Sequence, residues 1–305
     1  MEHMKYGLLL ILVNALINIF VQMKQLCTNF TYFNIMFTSI MIIVISTYLL
    51  NGSFEIPSDN NIDQNMAYLY PFILSLMLIL LYVIITNFQK YKKVLITLIF
   101  YTSITTSLCF LFNTHKTLVV VLLLLWVFFD QSTPEQCPSI KFYINNIIAI
   151  LVSIASIVSI NINNFKTGLI LLTGLFIFDI FWVFGSKYFA DESVMVKVAT
   201  NIDAPIIIRY ANNDTERGEI IIGLGDIILP ALFLKMLLTV CNYDCNNIYY
   251  IVSTCFYLVG LTGALTASIV FKQGQPALLY IVPSIIIPVI TLALARNEFN
   301  MLLNS

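Results

Sequence analysis

A chain of 305 residues that is 59% apolar and only 10% charged, with a mean hydropathy of +0.91, cannot be an ordinary water-soluble domain, so most of its surface must face lipid. The formal net charge of −1, without clustered Lys and Arg, excludes a phosphate-binding surface, and no nucleic-acid partner is expected. Of the six cysteines only Cys241 and Cys245 lie close together, and His3 and His115 are far apart, so neither a metal site nor a cofactor is expected.

A helix that crosses a bilayer needs about 20 mostly apolar residues, because a rise of about 1.5 Å per residue must cover about 30 Å of hydrocarbon. Ten stretches approach that length: residues 6–22, 31–50, 69–87, 94–112, 118–129, 143–160, 167–185, 220–240, 248–271 and 276–295. The first follows Lys5 as a cleaved leader would, but no small-residue cleavage site follows it, and it is read as a span. The fifth is short and must thin the bilayer or borrow from its polar flanks.

Two hydrophilic segments break the series. Residues 51–67, with Pro57, Asp59 and Asp63, read as an exposed loop, and the charge-rich residues 186–219 read as a polar loop outside the hydrocarbon. The expected fold is an all-α polytopic membrane protein, divided into N-terminal membrane helices (1–142) and a second membrane unit (143–305) that carries the loop 186–219. Lys90, Lys92 and Lys93 favour a cytoplasmic position for their own turn, but the short fifth stretch leaves the side of every later loop open.

Most acidic residues fall in the loops, where water solvates them. Asp179 and Asp226 instead lie inside apolar runs, where a lone aspartate costs about 2.5–3.5 kcal/mol at a helix centre, so each marks a functional site by default. If their helices pack face to face the two carboxyls can share a proton, one acting as base toward a bound water and the other as acid toward a peptide carbonyl. The competing structural reading places each acid near a helix end or beside a basic residue, and Lys235, nine residues after Asp226, is the nearest candidate in sequence.

Two further elements sharpen the pair. Gly223 and Gly225, flanking Leu224 just before Asp226, remove bulk where a neighbouring helix or a substrate backbone approaches, although Gly-x-Gly-Asp by itself is equally consistent with ordinary helix packing. Gly260, Gly263, Ala264 and Ala267 are read as packing residues only. Gln275, Pro276, Ala277 and Leu278 open the last span, with Gly274 and Pro276 leaving polar backbone that must line protein or a wet cavity. The polar loop running into Gly223, together with this span start, is where an extended peptide could pair by strand addition.

Phe178-Asp179, Gly223-Leu224-Gly225-Asp226 and Gln275-Pro276-Ala277-Leu278, in that order on three late spans, resemble the signature set of the presenilin and signal peptide peptidase family of intramembrane aspartyl proteases. The surroundings, residues 174–185, 194–199, Ala204-Pro205 and 275–283, are more similar to signal peptide peptidases than to presenilins, and the likeness runs from Asn145 to Glu298. The resemblance implies a presenilin-like bundle of nine or ten helices in the endoplasmic reticulum membrane, with a lumenal N-terminus and a cytosolic C-terminus. It makes 143–305 a catalytic core with Asp179 and Asp226 as catalytic residues, and Phe178, Gly223, Leu224, Gly225, Gln275, Pro276, Ala277 and Leu278 as residues that shape the site. The implied partners are the lipid bilayer and helical transmembrane peptides such as remnant signal peptides and type II segments, with a homo-oligomer left open.

Two features depart from that pattern. Phe178 stands where the family usually has tyrosine, which removes a phenol beside the first aspartate, and ten apolar stretches stand against nine spans. Two other functions compete: a transporter or channel that uses the two acids to relay protons or bind cations, which internal repeat symmetry would favour, and a relative that binds membrane segments without cutting them.

Overall fold

A computed structural model describes residues 31–51, 61–88, 90–112, 119–121, 123–124, 126, 138–188, 190, 193–201, 206–211, 219–240, 247–271 and 275–304. In chain order the elements are α1 (Thr31–Asn51), β1 (Asn61–Ile62), α2 (Gln64–Asn87), α3 (Lys92–Leu111), α4 (Pro138–Ser159), β2 (Asn161–Ile162) and α5 (Phe165–Val183). They continue with α6 (Val194–Asn201), β3 (Ile207–Ala211), β4 (Glu219–Gly223), α7 (Gly225–Val240), α8 (Ile248–Phe271), α9 (Leu278–Ala295) and α10 (Phe299–Asn304). The stretch expected at 6–22 lies outside the described residues; of 118–129, the described residues are helical.

Among the described residues, five helical stretches are long and apolar enough to cross a membrane: Gln64–Asn87, Val94–Leu111, Phe165–Tyr188, Ile248–Ser268 and Leu278–Ala295. The chain is a helical, multi-pass membrane protein. Helix α2 turns an apolar face outward, with Phe72 73% and Leu76 68% exposed, a surface suited to lipid rather than water.

Helix α5 sits at the centre, and small residues set its approaches. A Cβ on Gly174 would lie 2.8 Å from Cγ of Pro71 in α2, and one on Gly168 would lie 2.9 Å from Cε of Met236 in α7. Phe165 and Phe233 continue the α5–α7 contact with ring centroids 5.9 Å apart, and Nε1 of Trp182 donates to Oγ of Ser75 in α2 at 3.0 Å. Gly260 of α8 meets α9 closely: a Cβ there would lie 2.8 Å from Cα of Ile281 and 3.0 Å from the Tyr280 carbonyl oxygen.

Two short sheets accompany the helices among the described residues. Asn61 and Ile62 pair in parallel with Asn161 and Ile162, so α2 and α5 start side by side and run in the same direction. The second sheet is an antiparallel hairpin with register Ile207 to Gly223, Arg209 to Ile221 and Ala211 to Glu219. Residues 220–240, expected as one span, are therefore divided: the run Ile220-Ile221-Ile222 is strand, and the helix starts only at Gly225. Three consecutive β-branched residues suit a pleated strand, and glycines at 223 and 225 resist an earlier helix start.

The loop expected over 186–219 also holds structure. Gly185–Tyr188 is a 3-10 turn and α6 buries Val194 and Val198 in an apolar cluster with Ile85, Ile96 and Trp182. Ser186, fully buried, donates to the Trp182 carbonyl at 2.6 Å and accepts from the Val194 amide at 3.0 Å, folding this segment back onto the end of α5.

Candidate active site

Asp179 lies four residues before the end of α5 and is only 2% exposed. Its Oδ2 accepts a hydrogen bond from the backbone N–H of Leu278 at 2.9 Å. Leu278 opens α9, and the first N–H groups of a helix have no partner within it, so the end of that helix presents free donors and the positive end of its dipole. Pro276 has no N–H to offer, and its carbonyl oxygen accepts from Leu279 at 3.3 Å while that of Ala277 accepts from Tyr280 at 3.1 Å. The span expected to begin at Pro276 thus begins as a helix at Leu278, with Pro276-Ala277 as the bend that aims Leu278 at Asp179.

Asp226 is the second residue of α7 and follows the hairpin directly. Its carboxyl accepts a hydrogen bond from the backbone N–H of Gly223 and lies within coulombic reach of Asp179. A Cβ on Gly223 would be 3.4 Å from Oδ2 of Asp226, so glycine there keeps the space beside this carboxyl clear. A Cβ on Gly225 would meet only Cδ1 of Leu229, at 3.9 Å, so close packing against a neighbouring helix does not explain this glycine. Leu224 is buried in the turn between β4 and α7, and its amide donates to the Ile206 carbonyl at 3.1 Å.

The remaining expected residues divide. Phe178 packs with the apolar cluster around Trp182, at a centroid distance of 6.5 Å, and Gln275 is partly exposed just ahead of Pro276. Lys235 does not pair with Asp226. Its Nζ donates to the carbonyl oxygens of Ile157, Val158 and Ile160 at 2.8, 3.1 and 2.7 Å, which ties α7 to the C-terminal end of α4.

Other polar side chains around the site do not stand out in the sequence. The Tyr257 hydroxyl lies 3.4 Å from the Asp226 carbonyl oxygen and bonds Ser39, and Thr38 bonds the hydroxyl of Tyr210 in β3. Asn146 of α4 holds the backbone of Arg209 from both sides of its amide. A polar residue within an apolar run is the only sequence signal these share, and many such residues bond only within their own helix.

The sequence profile described as Signal peptide peptidase matches residues 112–305, a segment that contains both aspartates and the start of α9. The chain belongs to the signal peptide peptidase family. It is 37% identical over 164 residues to a signal peptide peptidase of Mus musculus, covering 50% of this chain and 41% of that one. It is 34% identical over 183 residues to intramembrane protease 2 of Caenorhabditis elegans, covering 52% and 37%. A probable intramembrane protease of Schizosaccharomyces pombe is 30% identical over 266 residues, covering 79% of this chain and 82% of the relative. The chain thus spans about two fifths of the length of the mouse family member and most of the fission-yeast one.

Proposed function

We propose that this chain is an intramembrane aspartyl protease that cuts helical transmembrane peptides with Asp179 and Asp226 as its catalytic pair. The observation that carries the reading is the convergence of three separate elements: the carboxyl of Asp179, the carboxyl of Asp226 within reach of its charge, and the first free amide of α9 on Asp179. Membership in the signal peptide peptidase family supports it.

In this mechanism one carboxylate takes a proton from a water held between the acids as that water attacks the peptide carbonyl. The other, protonated, donates toward the developing oxyanion, and both roles reverse as the amine leaves. The Leu278 amide fixes Oδ2 of Asp179 and leaves its other oxygen for the water. A helical peptide hides its carbonyls in its own hydrogen bonds, so it must open near the cut, and the hairpin that ends beside Asp226 offers backbone on which an extended segment can pair. The same reading includes a presenilin-like bundle of nine or ten helices, residence in the endoplasmic reticulum membrane, and remnant signal peptides and type II segments as substrates.

The test uses the purified full chain in detergent with a leucine-rich peptide of about 20 residues carrying a central Gly-Ser pair, long enough to span a bilayer. Mass spectrometry should find cleavage products with the wild type and none with Asp226→Ala, and faster cutting of this peptide than of an all-leucine one. Binding without products by the wild type would overturn the protease reading in favour of a segment-binding protein.

A further inference from the structure

The hairpin has two edges, and they are not equivalent. In an antiparallel pair, alternate residues turn both backbone groups toward the partner strand and those between turn both outward. The bond from the Leu224 amide to the Ile206 carbonyl, at 3.1 Å, puts Ile206, Ile208 and Tyr210 on the inward set, facing Leu224, Ile222 and Ile220. Arg209 therefore turns its N–H and C=O away from β4.

Both groups are taken by one side chain. Nδ2 of Asn146, a residue of α4 only 2% exposed, donates to the Arg209 carbonyl oxygen at 2.8 Å, and Oδ1 accepts the Arg209 N–H at 3.0 Å. A carboxamide carries a donor and an acceptor side by side, which is what a neighbouring strand would present, so Asn146 occupies the β3 edge as a one-residue strand. On β4 the outward residues are Glu219, Ile221 and Gly223. The sheet has only these two strands among the described residues, and this second edge leads straight to Asp226, whose carboxyl already takes the Gly223 N–H.

We infer that Asn146 is a positioning residue that makes the hairpin one-sided: it blocks the β3 edge at its central outward residue, Arg209, and anchors it to α4, so that an extended peptide pairs along β4 and one particular bond is brought to Asp226. The inference rests on the proteolytic reading and adds to it a determinant of where the peptide is cut. Pairing on β3 would place the peptide on the far side of the hairpin from Asp226, so closing that edge removes an unproductive mode of binding.

The experiment uses the full chain in detergent and the same Gly-Ser peptide, with kcat, KM and the distribution of cut bonds read by mass spectrometry for wild type, Asn146→Leu and Asn146→Asp. Loss of the clamp reopens the unproductive mode on β3, so kcat and KM should fall together, by as much as about tenfold, the scale of one or two hydrogen bonds, with cutting spread over neighbouring bonds. Asn146→Asp, which keeps the acceptor and loses the donor, should fall between. An unchanged KM and product pattern in a folded Asn146→Leu would overturn the inference. Residue-resolved hydrogen exchange on the wild type provides a readout that no folding defect can mask. The Arg209 amide should be protected with or without peptide, and the Ile221 amide should become protected only when peptide is added. An Arg209 amide that exchanges as fast as that of Ile221 would refute the clamp, whereas cutting that persists in Asp226→Ala would sink the Asp179–Asp226 catalytic pair and leave the exchange result to stand by itself.

Discussion

Oδ2 of Asp179 accepts the backbone N–H of Leu278 at 2.9 Å, so a single carboxyl both faces the second acid and caps the helix that opens beside it. These two duties separate by substitution. Asp179→Asn keeps a carbonyl oxygen for the Leu278 amide and should melt close to wild type, whereas Asp179→Ala should lose about 1 kcal/mol, the usual scale of a lost helix cap. Both should cut about 10⁴-fold more slowly or worse, and adding Asp226→Asn to either should slow it little further, because a pair that works as a unit is already disabled by one loss. A rate near wild type in Asp179→Asn would remove this residue from the chemistry.

Phe178→Tyr restores the phenol usual in the family at a position packed against Trp182. Phe178 is only partly buried, so a hydroxyl need not be stranded in a dry core, and the variant should fold with a cleavage rate within about tenfold of wild type. Thermal melting together with peptide turnover checks this. A collapse of the fold would show that the ring edge is sealed in apolar packing.

Gly260 and Gly263 lie one helical turn apart in α8 but face different surroundings. An added methyl at Gly260 would collide with backbone of α9, at 2.8 Å from Cα of Ile281, while at Gly263 it would make ordinary contact with Tyr280, 3.7 Å away. Gly260→Ala should therefore destabilise the protein by about 1–3 kcal/mol, as overpacking does, and Gly263→Ala should be nearly silent. Melting temperatures measured in one detergent for both variants decide it, and equal shifts would contradict the close α8–α9 crossing.

Lys235→Met strips three carbonyl oxygens at the end of α4 of their donor in a buried setting. A loss of about 3 kcal/mol is expected from the unsatisfied acceptors, with partial recovery in Lys235→Arg, whose planar fork cannot meet all three at the same angles. A melting temperature unchanged in Lys235→Met would mean that water replaces the ammonium at no cost.

The candidate site of this chain is legible because burying an acid in hydrocarbon is expensive, which makes Asp179 and Asp226 conspicuous in a plain reading of polarity. The hairpin was not legible. Ile220, Ile221 and Ile222 raise hydropathy equally whether they stand in a strand or in a helix, so a length-based reading merged them with α7. The role of Asn146 was hidden for another reason: its partner is the backbone of Arg209, 63 positions away, and main-chain groups leave no mark on the identity of a residue. The sequence offers Lys235 as a possible partner for an acid, yet it binds carbonyl oxygens that only tertiary structure brings near.

The parallel pairing of β1 and β2 has a consequence for the products of the proposed cleavage. Because α2 and α5 set out together from that short sheet, Asp179 stands fourteen residues, about 21 Å, from their shared starting end and only four residues, about 6 Å, from the other end of α5. A peptide severed at that depth is divided unequally. The fragment toward α6 is a stub with little hydrocarbon left to hold it, free to slip into water, while the fragment toward the β1–β2 end keeps most of its apolar length and must depart sideways into lipid. Product release then follows two routes of different character, and the slower, lateral one is the step that bilayer thickness and fluidity should govern.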